Sequence, residues 1–184
     1  SCSGLDPEPT TDTQAADTAP VPLESHETAA SCGECHPVHY SEWQQSMHAY
    51  AAKSPVFDAM ASKAYRDTAG EIGTCCTGCH SPVGEAEGEG GALTAADRGE
   101  AGLEGVSCDY CHTAVDHDSF VGNNRILTEP GEVKYGPFDS ASSEGHEAAQ
   151  GDFLTSPELC GSCHDVYKFP GIQIEQAYTE YIES

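Results

Sequence analysis

Apolar positions along this chain of 184 residues come in short, well separated groups. Over residues 40–52, Trp43, Met47 and Tyr50 recur at three- and four-residue spacing, which predicts a helix with one apolar side. A second short helix is expected over residues 56–65, and a terminal one carrying Ile174, Ala177, Tyr178 and Tyr181. Residues 82–105 are rich in Gly and Glu with little periodicity, apart from a turn or two at residues 93–100, so they are expected to be a mobile, exposed loop. Residues 128–152 are again mostly turn-forming, interrupted by Val133, Tyr135 and Phe138. The expected fold class is therefore mainly irregular with short α-helices and little or no β-sheet.

One short pattern occurs four times: Cys32-Gly-Glu-Cys35-His36, Cys76-Thr-Gly-Cys79-His80, Cys108-Asp-Tyr-Cys111-His112 and Cys160-Gly-Ser-Cys163-His164. Random order at this composition would give roughly 0.03 such pentapeptides. Two thiols three positions apart can each form a thioether to a haem vinyl group, and the next residue then lies under the iron as its proximal ligand. Zinc sites and thioredoxin-like centres also use Cys-x-x-Cys, but neither needs His directly after the second Cys in every copy. The spacing thus points to four c-type haems, each with its iron on His36, His80, His112 or His164. Cys75 precedes Cys76 and would give three intervening residues instead of two, so Cys76 is assigned to the haem.

Composition agrees with such large apolar groups replacing a protein core. Only 38% of residues are apolar, and there are 19 Gly and 11 Pro. The polypeptide is expected to wrap a haem stack in a tetrahaem cytochrome c fold. Seven Lys and Arg face 31 Asp and Glu, a formal charge of −24, which excludes nucleic acid as a partner and leaves cationic redox proteins open. Covalent haem attachment of this type takes place outside the bacterial cytoplasmic membrane, so the protein is expected to be exported: periplasmic, extracellular or at the cell surface. No run of 18 apolar residues is present.

Residues 1–30 contain no Lys or Arg and many Thr, Ala, Pro and acids, which reads as a flexible acidic tether before a domain spanning residues 31–184. Ser1-Cys2-Ser3-Gly4 is similar to a lipoprotein processing site, so Cys2 is expected to carry a lipid anchor; the other reading is a Cys2–Cys75 disulfide.

Four irons with proximal His leave four distal positions, and the candidates are His26, His39, His48, His117 and His146, with Met47 and Met60 the only thioethers. Supply matches demand for bis-His ligation, the low-spin arrangement of electron-transfer haems. His48, His117 and His146 are the leading candidates, and His39 and His26 compete for the fourth place. His39 is too close to His36 to serve the opposite face of the same iron. With the histidines so matched, no open iron position is expected, and the chain is read as a non-enzyme.

Three stretches carry a family resemblance: Cys-x-x-Cys-His-Pro37 followed by Tyr40, Trp43 and Ser46-x-His48-Ala49; Gly105-Val-Ser-Cys-Asp-Tyr-Cys-His112; and Leu159-Cys-Gly-Ser-Cys-His-Asp165. Over residues 31–184 the chain resembles the multihaem c-type cytochromes related to the tetrahaem cytochrome of ammonia-oxidising bacteria. The resemblance implies electron transfer through closely stacked, mostly bis-His haems, with His48 and His146 matching distal ligands. Similar four-haem proteins polymerise into extracellular conducting filaments, where a His of one subunit completes a haem in the next; others are monomeric shuttles or subunits of larger oxidoreductases. Tyr40-x-Glu-Trp43-x-x-Ser46 is echoed by Tyr178-x-Glu-Tyr181-x-x-Ser184; the first copy continues into Met47-His48, and the matching His of the second is either lost or lies beyond Ser184. Head-to-tail self-association, with His26 or His39 completing a neighbour's haem, is one expectation. A monomer using the same histidines internally is the other.

Overall fold

The computed structural model describes residues 25–139, 141–168 and 171–184. All four motifs lie on short helices, where a Cys-x-x-Cys spacing places both thiols on one side. The first is α1, Ala29–Cys35, capped by the Thr28 hydroxyl, which accepts from Ser31 N. Pro37 then opens α2, Pro37–Gln44, because a proline at the first helical position lacks only an N–H that would be unpaired anyway. The single helix expected over residues 40–52 is broken: the Ser46 hydroxyl accepts from Ala49 N and starts a new helix, α3, Met47–Tyr50, followed by a 3₁₀ turn at Ala51–Lys53. A serine that can bond the backbone ahead of it favours a cap over a helix interior. The second expected helix is present as α4, Pro55–Asp67, with Ser54 as its cap.

The second motif forms α5, Cys75–His80, and Pro82 opens α6, Pro82–Ala86, repeating the arrangement at Pro37. After α7, Glu100–Leu103, the third motif is α8, Cys108–His112. A hairpin follows it, β1 Ala114–His117 against β2 Ile126–Thr128. Next come β3, Val133–Gly136, and β4, Glu147–Gln150, paired in parallel. The last motif, α9, Pro157–His164, again leads into a hairpin, β5 Asp165–Lys168 with β6 Ile172–Gln176, and the chain continues into α10, Ala177–Ile182. Helices and irregular segments dominate, and each sheet has two strands.

Two expectations are corrected. Ile174 lies in β6, and the terminal helix begins only at Ala177. Residues 82–105 are partly packed rather than exposed throughout: Pro82, Val83 and Gly84 are buried, and Arg98 is 6% exposed. Their glycines serve close backbone approach, since a Cβ on Gly84 would stand 2.5 Å from Gly102 Cα, and the Glu89 carboxylate accepts from Gly99 N and Gly102 N. Residues 25–30, inside the expected tether, are bonded to the body: Glu27 N donates to Asp109 Oδ2 at 2.9 Å and Ala29 N to Glu104 Oε2 at 2.8 Å. Cys2 lies outside the described residues. Cys75 is disulfide-bonded, whereas the eight motif cysteines are free thiols.

The described residues bury few apolar side chains: Phe57, Val83, Tyr110 and several alanines. Met47, Val56, Met60, Phe138, Ile174 and Tyr181 are more than half exposed. The largest of the fully buried side chains are polar, among them Asp109 and Asp165. Asp109 Oδ1 lies 2.7 Å from Lys134 Nζ, and Asp165 accepts from Thr179 N at 3.1 Å and Thr179 Oγ1 at 2.5 Å. Among the described residues, such polar bonds tie several of the elements together.

Gly105 illustrates how tight one such contact is. Its φ is +70°, and a Cβ would sit 2.4 Å from His48 O, which accepts from Val106 N at 3.1 Å, while Trp43 Nε1 donates to Val106 O at 2.8 Å. Gly105→Ala is expected to destabilise the protein by more than about 1 kcal/mol, read from denaturant unfolding, because both the left-handed backbone and the space exclude a side chain.

Candidate haem sites

The fold brings the attachment helices together in two pairs. The thiols of Cys32 and Cys108 lie close enough to perturb each other's titration, as do those of Cys79 and Cys163, so the first motif meets the third and the second meets the fourth. That pairing pushes Cys32 and Cys163 up and Cys79 and Cys108 down from the ordinary thiol value, while burial pushes Cys111 up to about 11.

His36, His80, His112 and His164 are all exposed. His112 Nδ1 lies 2.6 Å from Tyr135 O, and His80 Nδ1 lies 3.4 Å from Ala51 O. A carbonyl on Nδ1 holds the proton there and leaves Nε2 as the metal-binding nitrogen.

Two of the distal candidates stand opposite proximal rings. The centroids of His36 and His146 are 6.3 Å apart, and those of His48 and His164 are 6.4 Å apart. With metal–imidazole bonds of about 2 Å, two rings on opposite faces of one iron place their centroids roughly 6–6.5 Å apart. His146 Nδ1 lies 2.8 Å from Glu147 O, again leaving Nε2 for a metal. Desolvation by neighbouring groups holds His48 below the ordinary histidine value, in the neutral form that binds metals.

His39 is also 6.3 Å from His36, but His36 caps α2 only three residues before His39, which holds their Cβ atoms to about 5–6 Å apart. Ligands on opposite faces of a porphyrin need roughly twice that separation. His39 instead faces Glu42 at 3.6 Å with its side chain 80% exposed. His117 packs on Phe153 at 6.0 Å, and its buried Nδ1 has no partner. His26 lies 5.8 Å from Tyr110 with Nε2 buried and without a partner. The donor set and exposed attachment helices therefore fit covalent haem at each motif, and the two ring pairs fit bis-His ligation at the first and fourth.

Sequence reasoning missed Asn123 and Asn124. Both have positive φ, 54° and 48°, which Asn tolerates better than other residues with a side chain. The Asn124 amide donates to Gly78 O in the second motif and accepts from Tyr110 Oη in the third at 2.8 Å, while its backbone N donates to Ser162 O in the fourth at 2.6 Å. Asn123 brackets Tyr167 with its amide, accepting from Tyr167 N at 2.8 Å and donating to Tyr167 O at 3.0 Å. A Gly-Asn-Asn run signals a turn, but nothing in it names three partners so distant in sequence.

Asn124→Ala should cost roughly 2–4 kcal/mol of stability, from two side-chain hydrogen bonds plus a left-handed backbone. Asn124→Gly should recover only the backbone part. Thermal or denaturant unfolding of the haem-loaded protein measures both.

The family described as "Cytochrome c554 and c-prime" matches residues 31–113, a span holding the first three motifs. No curated protein matches the chain. Among solved structures, a penta-haem cytochrome c552 from Thermochromatium tepidum shares the fold, with a TM-score of 0.65 at 18% identity. The match covers 86% of this chain and 51% of that one, so the present chain spans about half the length of its structural relative. Taken with the four attachment helices, these likenesses support a multihaem c-type cytochrome.

Proposed function

We propose that the chain carries electrons through four covalently bound c-type haems on the outer side of the cytoplasmic membrane. The observation that carries this reading is the His36–His146 and His48–His164 spacing beside paired attachment helices. A c-type haem, when bound, accepts and releases one electron at its iron. The residues of the chain hold it: Cys32 and Cys35, Cys76 and Cys79, Cys108 and Cys111, and Cys160 and Cys163 form the thioethers, with the following His as proximal ligand. His146 and His48 close the first and fourth positions. His117 and either His26 or His39 are assigned to the other two, which leaves no iron open for catalysis and makes the protein a carrier rather than an enzyme. Among the described residues no helix is long and apolar enough to cross a membrane. Its partners are redox proteins with cationic surfaces, as the charge of −24 favours.

The mass of the purified protein should exceed the polypeptide by four haems, and Cys108→Ala/Cys111→Ala should remove one; bound zinc without porphyrin overturns the reading. Replacing His48 or His146 with Ala should each turn one ferric haem high-spin in its electron paramagnetic resonance spectrum. Peptide mapping of the same material separates a diacylglyceryl group on Cys2 from a crosslink to Cys75; the bonded state of Cys75 weighs towards the crosslink.

Self-association into a head-to-tail filament is the second reading, favoured by the 80% exposure of His39 on α2, which can reach a neighbouring copy. His26, with its Nε2 buried, suits an internal role. Electron microscopy of the secreted fraction should then show filaments that His39→Ala dissociates, whereas a monodisperse particle with four low-spin haems refutes the filament.

A further inference from the structure

The second motif has a feature that the other three lack among the described residues. The Phe57 ring lies 4.1 Å from the His80 imidazole at an interplanar angle of 5°, a parallel stack. Behind it the Arg98 guanidinium carbon lies 5.0 Å from the Phe57 centroid. Arg98 is itself held from several directions: Nη1 donates to Ala52 O at 2.6 Å and Asp58 Oδ1 at 2.9 Å, and Nη2 to Leu93 O at 3.1 Å. Its side chain is 1% exposed, and Phe57 is 8% exposed. Asp58 is fixed in turn by Ala95 N, which donates to Oδ2 at 2.8 Å.

An imidazole bound to a metal through Nε2 keeps one rotation, about the metal–nitrogen bond. At the third motif the short Nδ1 contact of His112 with Tyr135 O restrains that rotation; at His80 the corresponding contact with Ala51 O is 3.4 Å and weak. The stack supplies the missing restraint. A flat ring parallel to the imidazole opposes its rotation, and the cation–π contact and buried ion pair stop Phe57 from turning aside. The energetic cost of burying Arg98 also has a reason here, since a chain with seven basic residues against 31 acidic ones would otherwise gain little by hiding one.

We infer that Phe57, clamped by Arg98, is a positioning residue that sets the ring orientation of His80 and so gives the second haem an electronic character distinct from the other three. The inference rests on the proposed haem at each motif. The orientation of axial imidazole planes governs the splitting of the iron d orbitals, so ferric paramagnetic resonance reads it directly.

The experiment uses the full, haem-loaded chain, with the number of haems first checked by mass. The resonance of the second haem is identified by its absence in Cys76→Ala/Cys79→Ala. Phe57→Leu, which removes the ring but stays apolar, should shift that one resonance and the midpoint potential of that one haem. Phe57→Tyr, which keeps the ring, should restore the original signal. Arg98→Lys keeps the charge beside Asp58 but removes the planar clamp, and should shift the same resonance less; it also serves if Phe57→Leu fails to load haem. The inference is overturned if four haems are present and no resonance moves in Phe57→Leu and Arg98→Lys, or if all four move together. A mass lacking haem overturns the proposed function instead, so the two failures are distinguishable.

Discussion

The constraint on which the proposed haem binding depends is the placing of two thiols and an imidazole within five residues. A covalent group held at three points would leave the chain little freedom there, so each motif would become a fixed post, with the remaining segments connecting four of them. The solution is economical in regular structure. After the first two posts a proline starts a helix at once, at Pro37 and Pro82, whereas after the last two the chain turns into a hairpin at Ala114 and Asp165. Thr113 and Asp165, the residues that follow His112 and His164 directly, are both buried, so each hairpin leaves its motif through the interior of the fold.

Buried polar groups help define the tertiary contacts of the described chain. Asp109 joins α8 to Lys134 on β3 and to the backbone at Glu27, Asp165 joins β5 to α10 through Thr179, and Asn124 joins three motifs. Each bond is worth about 1 kcal/mol net, but leaving a buried partner unpaired costs more, and this asymmetry makes such contacts specific. Apolar bulk would resist unfolding without choosing a register. Directional bonds choose one.

The motifs, the short helices and the scarcity of extended sheet could be read from the sequence because each is local. The Ser46 break was legible in principle, since a hydroxyl able to cap α3 sits in the middle of the periodic run, but the spacing of Trp43, Met47 and Tyr50 masked it. The parallel pairing of β3 with β4 was not legible: Val133–Gly136 and Glu147–Gln150 are only four residues each, too short for alternation to stand out. Distal ligands are a different case. Counting histidines gives the supply, but the meeting of His36 with His146 spans most of the chain and follows from the packing of every post between them. Residues 82–105 misled for a related reason, because Gly-rich composition marks both free loops and backbones in contact, and only the Gly84–Gly102 approach distinguishes the two.

Charge follows from the same economy. Of the seven basic side chains, Lys63, Arg98, Arg125 and Lys134 are paired with acids of the same chain. Two of them, Arg98 and Lys134, lie mostly inside, where they neutralise Asp58 and Asp109 instead of offsetting the acidic exterior. Because each is buried with its acid, the remaining groups still carry the whole net charge of −24. An acidic surround favours the oxidised, more positively charged state of a redox group, and bis-imidazole ligation lowers the potential as well. The two effects act in the same direction, and Arg98, one phenyl ring away from His80, does not oppose them as a free charge, because the Asp58 carboxylate balances it.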